Sequence, residues 1–366
     1  MLILFYVGLG ALVIQIIFLS ALLAAFVKKR PEVSYEPVPI SVIVCAHDEE
    51  QNLRELVPIL LAQDHPEFEV IIVEDRSNDE TFDYLLQATK EHKKLKMVHV
   101  SHKPDKINGK KFALTLGIKA AKYDQVLLTD ADCRPASNQW IRQMSSYFQN
   151  STEFVLGVSP YEKRNGLLNS FIRFESLITS IQCIGFALLG KPYMGVGRNL
   201  AYKKEVFLTN KGFHPYLEVT GGDDDLFVNS YANKINTSVS FGNNSQTLSK
   251  PKTSWKEFYT QKLRHLSVGK YYHFSDKLIL GLFSLSWMGS FFISIPAAFL
   301  EQIGVVLLGL FMVRWILFIV LMNTVPRRLG GTFESWKTPF LDFIYVFYYL
   351  VTGAKALLTK KVKWKN

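Results

Sequence analysis

Cysteine is scarce in this chain. The three present, Cys45, Cys133 and Cys183, are isolated, odd in number and lack metal-ligand spacing. That excludes a disulfide framework and a thiolate zinc site, and it fits a reducing compartment. No internal repeat and no low-complexity tract appears. No basic region precedes the first apolar stretch, which is also too long for a signal-peptide core. A membrane anchor is expected there rather than a cleaved leader. The net charge of +10 does not imply nucleic acid, because much of it flanks apolar segments, where it suits anionic lipid head groups.

Long apolar runs are what the chain does have. Residues 2–27 are nearly unbroken and end in Lys28-Lys29-Arg30. About 20 apolar residues span a bilayer, and the positive-inside tendency puts that end in the cytoplasm. A second region, Leu278 to Met322, is long enough for two spans around a Glu301-Gln302 break, and Arg327-Arg328 follow it. Arg314 lies inside the second span as a lone charge, the kind that faces protein or water or snorkels. Phe340 to Leu358 carries Asp342, aromatics and Lys355, ahead of Lys360, Lys361, Lys363 and Lys365. An interfacial or re-entrant helix with a cytoplasmic tail is expected. The expected division is a transmembrane helix (1–30), a cytoplasmic catalytic domain (37–276), two transmembrane helices (277–325), and an interfacial or transmembrane segment with a basic tail (326–366).

Between Pro37 and Asp276 the pattern is α/β. Ile40–Cys45, Glu69–Val73, Leu95–Val100 and Gln125–Thr129 read as strands. Between them fall helices with an apolar stripe at Leu53, Leu56 and Leu60, another at Phe82, Leu85 and Leu86, and a third over Lys110–Ala121. Asp48 with Gln51, and Ser77 with Glu80, have capping-box spacing. This order predicts a mainly parallel sheet with helices on both faces. Ligands of such sheets bind beyond the carboxyl ends of the strands. The polar clusters sit there: Ala46-His47-Asp48-Glu49, Glu74-Asp75, and Asp130 with Asp132. Leu167–Leu189 reads as one more helix, either in the core or along the membrane. Trp255, Phe258 and Tyr259 suit either the membrane interface or the core.

Asp130 and Asp132 end the apolar run Gln125-Val-Leu-Leu-Thr129. In extended chain, residues i and i+2 point the same way. The pair can converge on one hard divalent cation, Mg²⁺ or Mn²⁺, which keeps substrate phosphates in its shell. Gly221-Gly222-Asp223-Asp224-Asp225 crowds three carboxylates into a glycine turn, which raises their proton affinity. Gln261, Arg264 and His265 share one helix face at i, i+3 and i+4.

These motifs together resemble the membrane-bound family 2 glycosyltransferases of GT-A fold. That family includes cellulose and hyaluronan synthases and bacterial lipid or cell-wall glycosyltransferases. The resemblance covers roughly residues 37–270. Ser41 to Glu50 resembles the first strand and turn, with Cys45, His47 and Asp48 replacing Pro, Tyr and Asn. Val73 to Asp79 resembles V-D-D-G-S-x-D, and Gly109-Lys110 with Ala113-Leu114 resembles G-K-x-x-A-L. Thr129-Asp-Ala-Asp132 matches the metal motif unchanged. Gly222 to Asp225 resembles the acceptor-base motif, Gln261 to His265 the Q-x-x-R-W motif, and Met194 to Asn199 an acceptor segment.

The resemblance implies an inverting, metal-dependent transferase that uses a nucleotide-sugar donor, with UDP expected before GDP. The acceptor would be a lipid or growing glycan at the cytoplasmic face of the inner membrane, with membrane lipids as neighbours and no nucleic acid. It implies that Ala46, His47, Glu49, Glu74, Asp75, Lys110, Asp130 and Arg264 contact the donor. Within this set His47 stacks on the base, and Glu74 or Asp75 accepts from it. Asp132 and Asp130 hold the metal, and Asp224 or Asp223 is the base. Arg198, Asn199, Gln261 and His265 line the acceptor site. His265 in place of Trp argues against long polymers. The competing readings are a polyprenyl-phosphate sugar transferase, a processive synthase-translocator, and a non-catalytic subunit that keeps the fold.

Overall fold

The structure, a computed structural model, describes residues 2–28, 36–105, 107–149, 151–300 and 304–358. Lys29, Arg30, the Glu301-Gln302 break and the tail lysines at 360, 361, 363 and 365 lie outside the described residues.

An apolar helix, α1 (Leu2–Val27), comes first. From residue 40 strands and helices alternate: β1 (Ile40–Ala46), α2 (Glu50–Leu61), β2 (Phe68–Asp75), α3 (Thr81–Glu91), β3 (Leu95–Val100), α4 (Gly109–Ala120) and β4 (Gln125–Asp130). These four strands pair in parallel. All of β2 is buried, as a strand covered on both faces must be. Val42 and Val44 point into a cluster with Leu53, Leu56, Leu60 and Trp140. Ile43 points the other way, into a core that runs on into the long apolar helices.

Next come β5 (Cys133–Pro135), α5 (Trp140–Ser145), β6 (Phe154–Leu156), α6 (Leu167–Leu188), β7 (Leu200–Lys203), α7 (Lys204–Thr209), α8 (Asp225–Tyr231), β8 (Thr237–Val239) and β9 (Thr247–Ser249). The main sheet is ordered β3-β2-β1-β4-β7-β6-β8. Only β7 runs against the others, so the sheet is mainly parallel, as expected. β5 and β9 form a small antiparallel ladder.

The expected capping boxes are not formed. Glu49 and Glu80 occupy the N-cap positions of α2 and α3 without side-chain caps. Instead the two loops brace each other. Asp48 Oδ1 accepts from Asn78 N at 2.6 Å, and Asp79 Oδ2 accepts from Glu50 N at 3.2 Å. Parallel strands bring both loops to one edge, so a cross-loop partner wins over the local one. Leu86, expected behind α3, is exposed.

The last helices are α9 (Trp255–Val268), α10 (Phe274–Phe292), α11 (Ser294–Leu300), α12 (Val305–Leu329) and α13 (Thr338–Leu358). Helix α1 packs on α10, α11 and α12. Small residues permit the approach: a Cβ on Gly289 would lie 2.8 Å from that of Ala11. Four segments are long and apolar enough to cross a membrane: α1, α6, α10 with α11, and α12. Most of α6 is covered by protein, and its two charged side chains are paired. Glu175 meets Lys262 of α9 at 2.5 Å, and Arg173 meets Glu334 at 2.9 Å.

Arg314 is not a lone charge. Its guanidinium pairs with Asp342 of α13, and both side chains are fully buried. The indoles of Trp287 and Trp315 donate to the same carboxylate at 2.8 and 3.1 Å. The 340–358 segment is therefore built into the bundle at its start. Farther along, Tyr348 stacks on Phe258 of α9, while Phe343, Phe347 and Val351 form an exposed apolar stripe. Phe258 is core, Trp255 is half-exposed, and Tyr259 carries the Lys355 ammonium over its ring.

Candidate active site

Parallel register brings the motif loops together. Ala46 faces Glu74 across β1 and β2, and Cys45 faces Asp130 across β1 and β4. His47 Nδ1 lies 2.6 Å from the Asp75 carbonyl oxygen, which fixes the ring at the mouth of this edge. Asp48 and Arg76 both adopt positive φ there, at 55° and 56°. Such backbone is uncommon for residues other than glycine and clusters at functional loops.

Glu74 does not face a ligand. It is buried, accepts from Ser77 N at 2.6 Å and meets His99 Nδ1 at 2.6 Å. Its carboxylate holds the turn, which leaves Asp75 of the pair. Asp75 Oδ1 accepts from Arg76, and its other oxygen faces Gly109, where a Cβ would lie 3.2 Å away. Glu49 Oε2 accepts from Asn52 Nδ2 at 2.6 Å, and Ala46 is buried at the end of β1.

Lys110, in the first turn of α4, links two motifs. Its Nζ lies 3.1 Å from Asp130 Oδ1 and 3.2 Å from Asp223 Oδ2. Burial opposes its charge, yet Asp130, Asp223 and Asp224 raise its pKa well above the usual lysine range. Burial alone would raise Asp223, but Lys110, by charge and hydrogen bond, holds it below the usual aspartate range. Asp224 differs. Burial, then the Asp223 charge, raise it. Its oxygens accept from Gly197 N at 2.7 Å and Asp225 N at 2.8 Å. It is partly exposed, whereas Asp223 and Asp225 are buried. Asp225 accepts from Tyr272 OH at 2.8 Å and starts α8.

Burial, then the Asp130 charge, raise Asp132 as well. Among the described residues no group of three or more His, Cys, Asp or Glu side chains gathers to hold a metal ion. Asp130 and Asp132 supply two carboxylates. These could form part of the oxygen shell of a Mg²⁺ or Mn²⁺ ion.

Behind them Arg198 donates to Ser249 Oγ at 2.6 Å and lies over the Tyr161 ring. Asn199, expected at the acceptor, is fully buried. It accepts from Trp140 Nε1 and donates to the carbonyls of Val158 and Ser245 at 2.8 and 2.7 Å. It is a framework residue, because no polar atom is left for a ligand.

Helix α9 closes the cleft. Its Val268 lies against Gly221 and Gly222, where added Cβ atoms would come within 3.3 Å of it. Desolvation, then Lys262, Arg264, Arg198 and Lys110, push His265 well below the usual histidine range, although the residue keeps an exposed surface. Arg264 Nη2 lies 3.4 Å from His265 Nε2, and Gln261 Oε1 is buried without a hydrogen-bond partner.

Sequence reasoning missed Tyr272 and Lys111, and it gave Gly197 no role of its own within the 194–199 segment. Lys111 carried a readable signal, since it shares the apolar stripe of Leu114 and Ile118 on α4. Burial lowers it to about 8.

Residues 41–208 match the Glycosyl transferase family 2 model. The chain carries a family 2 glycosyltransferase domain. An uncharacterized glycosyltransferase of Haemophilus influenzae is 26% identical over 136 residues, 36% of this chain and 40% of that protein. A poly-beta-1,6-N-acetyl-D-glucosamine synthase of Staphylococcus epidermidis is 32% identical over 93 residues, 25% of this chain and 21% of that one. The chain thus spans under half the length of these relatives. A mannosyltransferase of Pyrobaculum calidifontis, solved with GDP-Man and Mn²⁺, superposes with a TM-score of 0.63 at 16% identity, covering 98% of this chain and 100% of that one. The family 2 domain here has the GT-A fold.

Proposed function

We propose that the protein is an inverting glycosyltransferase. It moves a sugar from a nucleoside-diphosphate donor, a UDP-sugar in the first instance, to a hydroxyl of a lipid or growing glycan. The site lies at the cytoplasmic face of the inner membrane. The observation that carries this is the Asp130–Lys110–Asp223 contact, which puts the donor-side and acceptor-side motifs in one cleft. His47 stacks on the base, Asp75 accepts from it, and Ala46 and Glu49 border it. Lys110 and Arg264 balance the pyrophosphate charge. Gln261, His265 and Arg198 border the acceptor.

The acceptor oxygen attacks the anomeric carbon as the bond to the phosphate oxygen breaks, so one displacement inverts the centre. Asp224 takes the hydroxyl proton. Its raised proton affinity and partial exposure favour it over Asp223, whose charge is committed to Lys110. Asp130 and Asp132 would hold a Mg²⁺ or Mn²⁺ ion, which when bound neutralises charge developing on the departing diphosphate. The Mn²⁺ and GDP-Man bound by the Pyrobaculum protein support a cation and a nucleotide sugar here.

The test is a release assay. Membranes holding the full chain are given Mn²⁺ or Mg²⁺, a lipid extract and each of a panel of nucleotide sugars that includes UDP-GlcNAc and GDP-mannose. One donor should release its diphosphate faster with the lipid than without. Release no greater than that of membranes lacking the protein, for every donor, contradicts the reading.

A further inference from the structure

Lys111 has no exposed surface, yet among the described residues its Nζ forms no ion pair with a carboxylate. It donates instead to the carbonyls of Tyr216 and Val219, at 2.6 and 2.7 Å, and lies over the Tyr216 ring. A buried ammonium is costly unless its donors are used, and here one side chain gathers two carbonyls of a single turn. That turn runs straight into Gly221 and Gly222, at φ 85° and 78°. Glycine backbone of this kind orders itself poorly. Asp223 and Asp224 follow at once. Lys110 and Lys111 thus share the first turn of α4 but do different things. One neutralises carboxylates across the cleft, and the other ties down the backbone that delivers them.

We propose that Lys111 is a positioning residue, which anchors the 216–219 turn to α4 so that Asp224 is held at the acceptor side of the cleft. The proposal rests on the reading of Asp224 as the base. Misplacing a catalytic group by about 1 Å costs on the order of 10²-fold in rate, so releasing the turn should lower turnover without touching the donor.

The full chain in detergent is compared with Lys111→Met and Lys111→Arg. Three quantities are read: amide exchange over residues 213–226, equilibrium binding of the donor found in the release assay, and transfer rate. In Lys111→Met the loop should exchange on the order of tenfold faster, the loss of a charge-assisted hydrogen bond. Donor affinity should stay within a few-fold, and kcat should fall by about 10²-fold. Lys111→Arg, which keeps the charge and two donors, should restore loop protection and most of kcat. If Lys111→Met does not fold, Lys111→Gln, which keeps a neutral amide donor on a shorter stem, is read the same way with a smaller loss. Wild-type exchange in the loop overturns the proposal whatever the activity. So does exchange that rises equally in the loop and across the sheet. If the wild type turns over no donor, the glycosyltransferase reading fails, and the exchange data alone then judge the anchor.

Discussion

The Lys110 ammonium lies 3.2 Å from the Asp223 carboxylate. That contact ties α4, whose first turn faces the donor end of the sheet, to the loop that opens α8. It leaves Asp224, one residue on, with backbone donors but, among the described residues, no contacting cation. Three consecutive aspartates thereby acquire three duties. Asp223 balances a lysine, Asp224 is the one the proposed mechanism leaves to accept a proton, and Asp225 starts a helix while gripping Tyr272.

Asp224→Asn should lower transfer by about 10²–10⁴-fold and leave donor binding near normal. The pH profile gives a finer test. Asp224 acts only when ionised, and burial and the Asp223 charge raise its pKa. Activity should therefore fall as pH drops through a value above the ordinary aspartate pKa of about 3.9. Asp223→Asn removes a neighbouring negative charge, so the acid limb of its residual activity should move to lower pH. A limb that stays in place or moves up would assign the base elsewhere.

Asp132→Asn should lose transfer on the order of 10²-fold or more, the several kcal/mol that a cation contributes to leaving-group charge. The variant should still fold and insert, since Asp132 carries little of the framework. The check is activity against added Mn²⁺ after chelation. Wild-type turnover at saturating Mn²⁺ in the variant would remove Asp132 from the metal set.

Arg314→Ala or Asp342→Ala leaves a buried charge unpaired and should cost roughly 3–5 kcal/mol. Replacing both with leucine should recover much of that loss. Thermal unfolding in detergent reads it. A double variant no better than the single ones would mean that the pair stabilises through its two tryptophans rather than by mutual neutralisation.

The sheet was legible because parallel strands buried on both faces leave long apolar runs, and the helices between them keep a clean stripe. The clustering of the loops after Ala46, Glu74 and Asp130 followed from the rule that strand ends gather ligand residues, whereas the Asp223 turn was reached only through the family resemblance. What stayed hidden was long-range pairing. Nothing near Glu74 announces His99, and nothing near Asn199 announces Trp140, so two polar residues in motif positions looked free when they were framework. Arg314 looked alone because its partner lies 28 residues on, in a segment set aside for its charge. The capping boxes failed for the same reason: Asp48 and Ser77 each found a partner across the loop edge, Asp48 Oδ1 accepting from Asn78 N and Ser77 Oγ from Asp48 N.

The central claim is sugar transfer with inversion at this cleft. Its most direct measurement uses the donor that the release assay selects, labelled at the anomeric carbon. Nuclear magnetic resonance then reads the anomeric configuration of the product formed by wild type and by Asp224→Asn. The account predicts a glycosidic product from the wild type with configuration opposite to the donor's, and essentially none from the variant. A product that retains the donor's configuration, or equal product from Asp224→Asn, would contradict it.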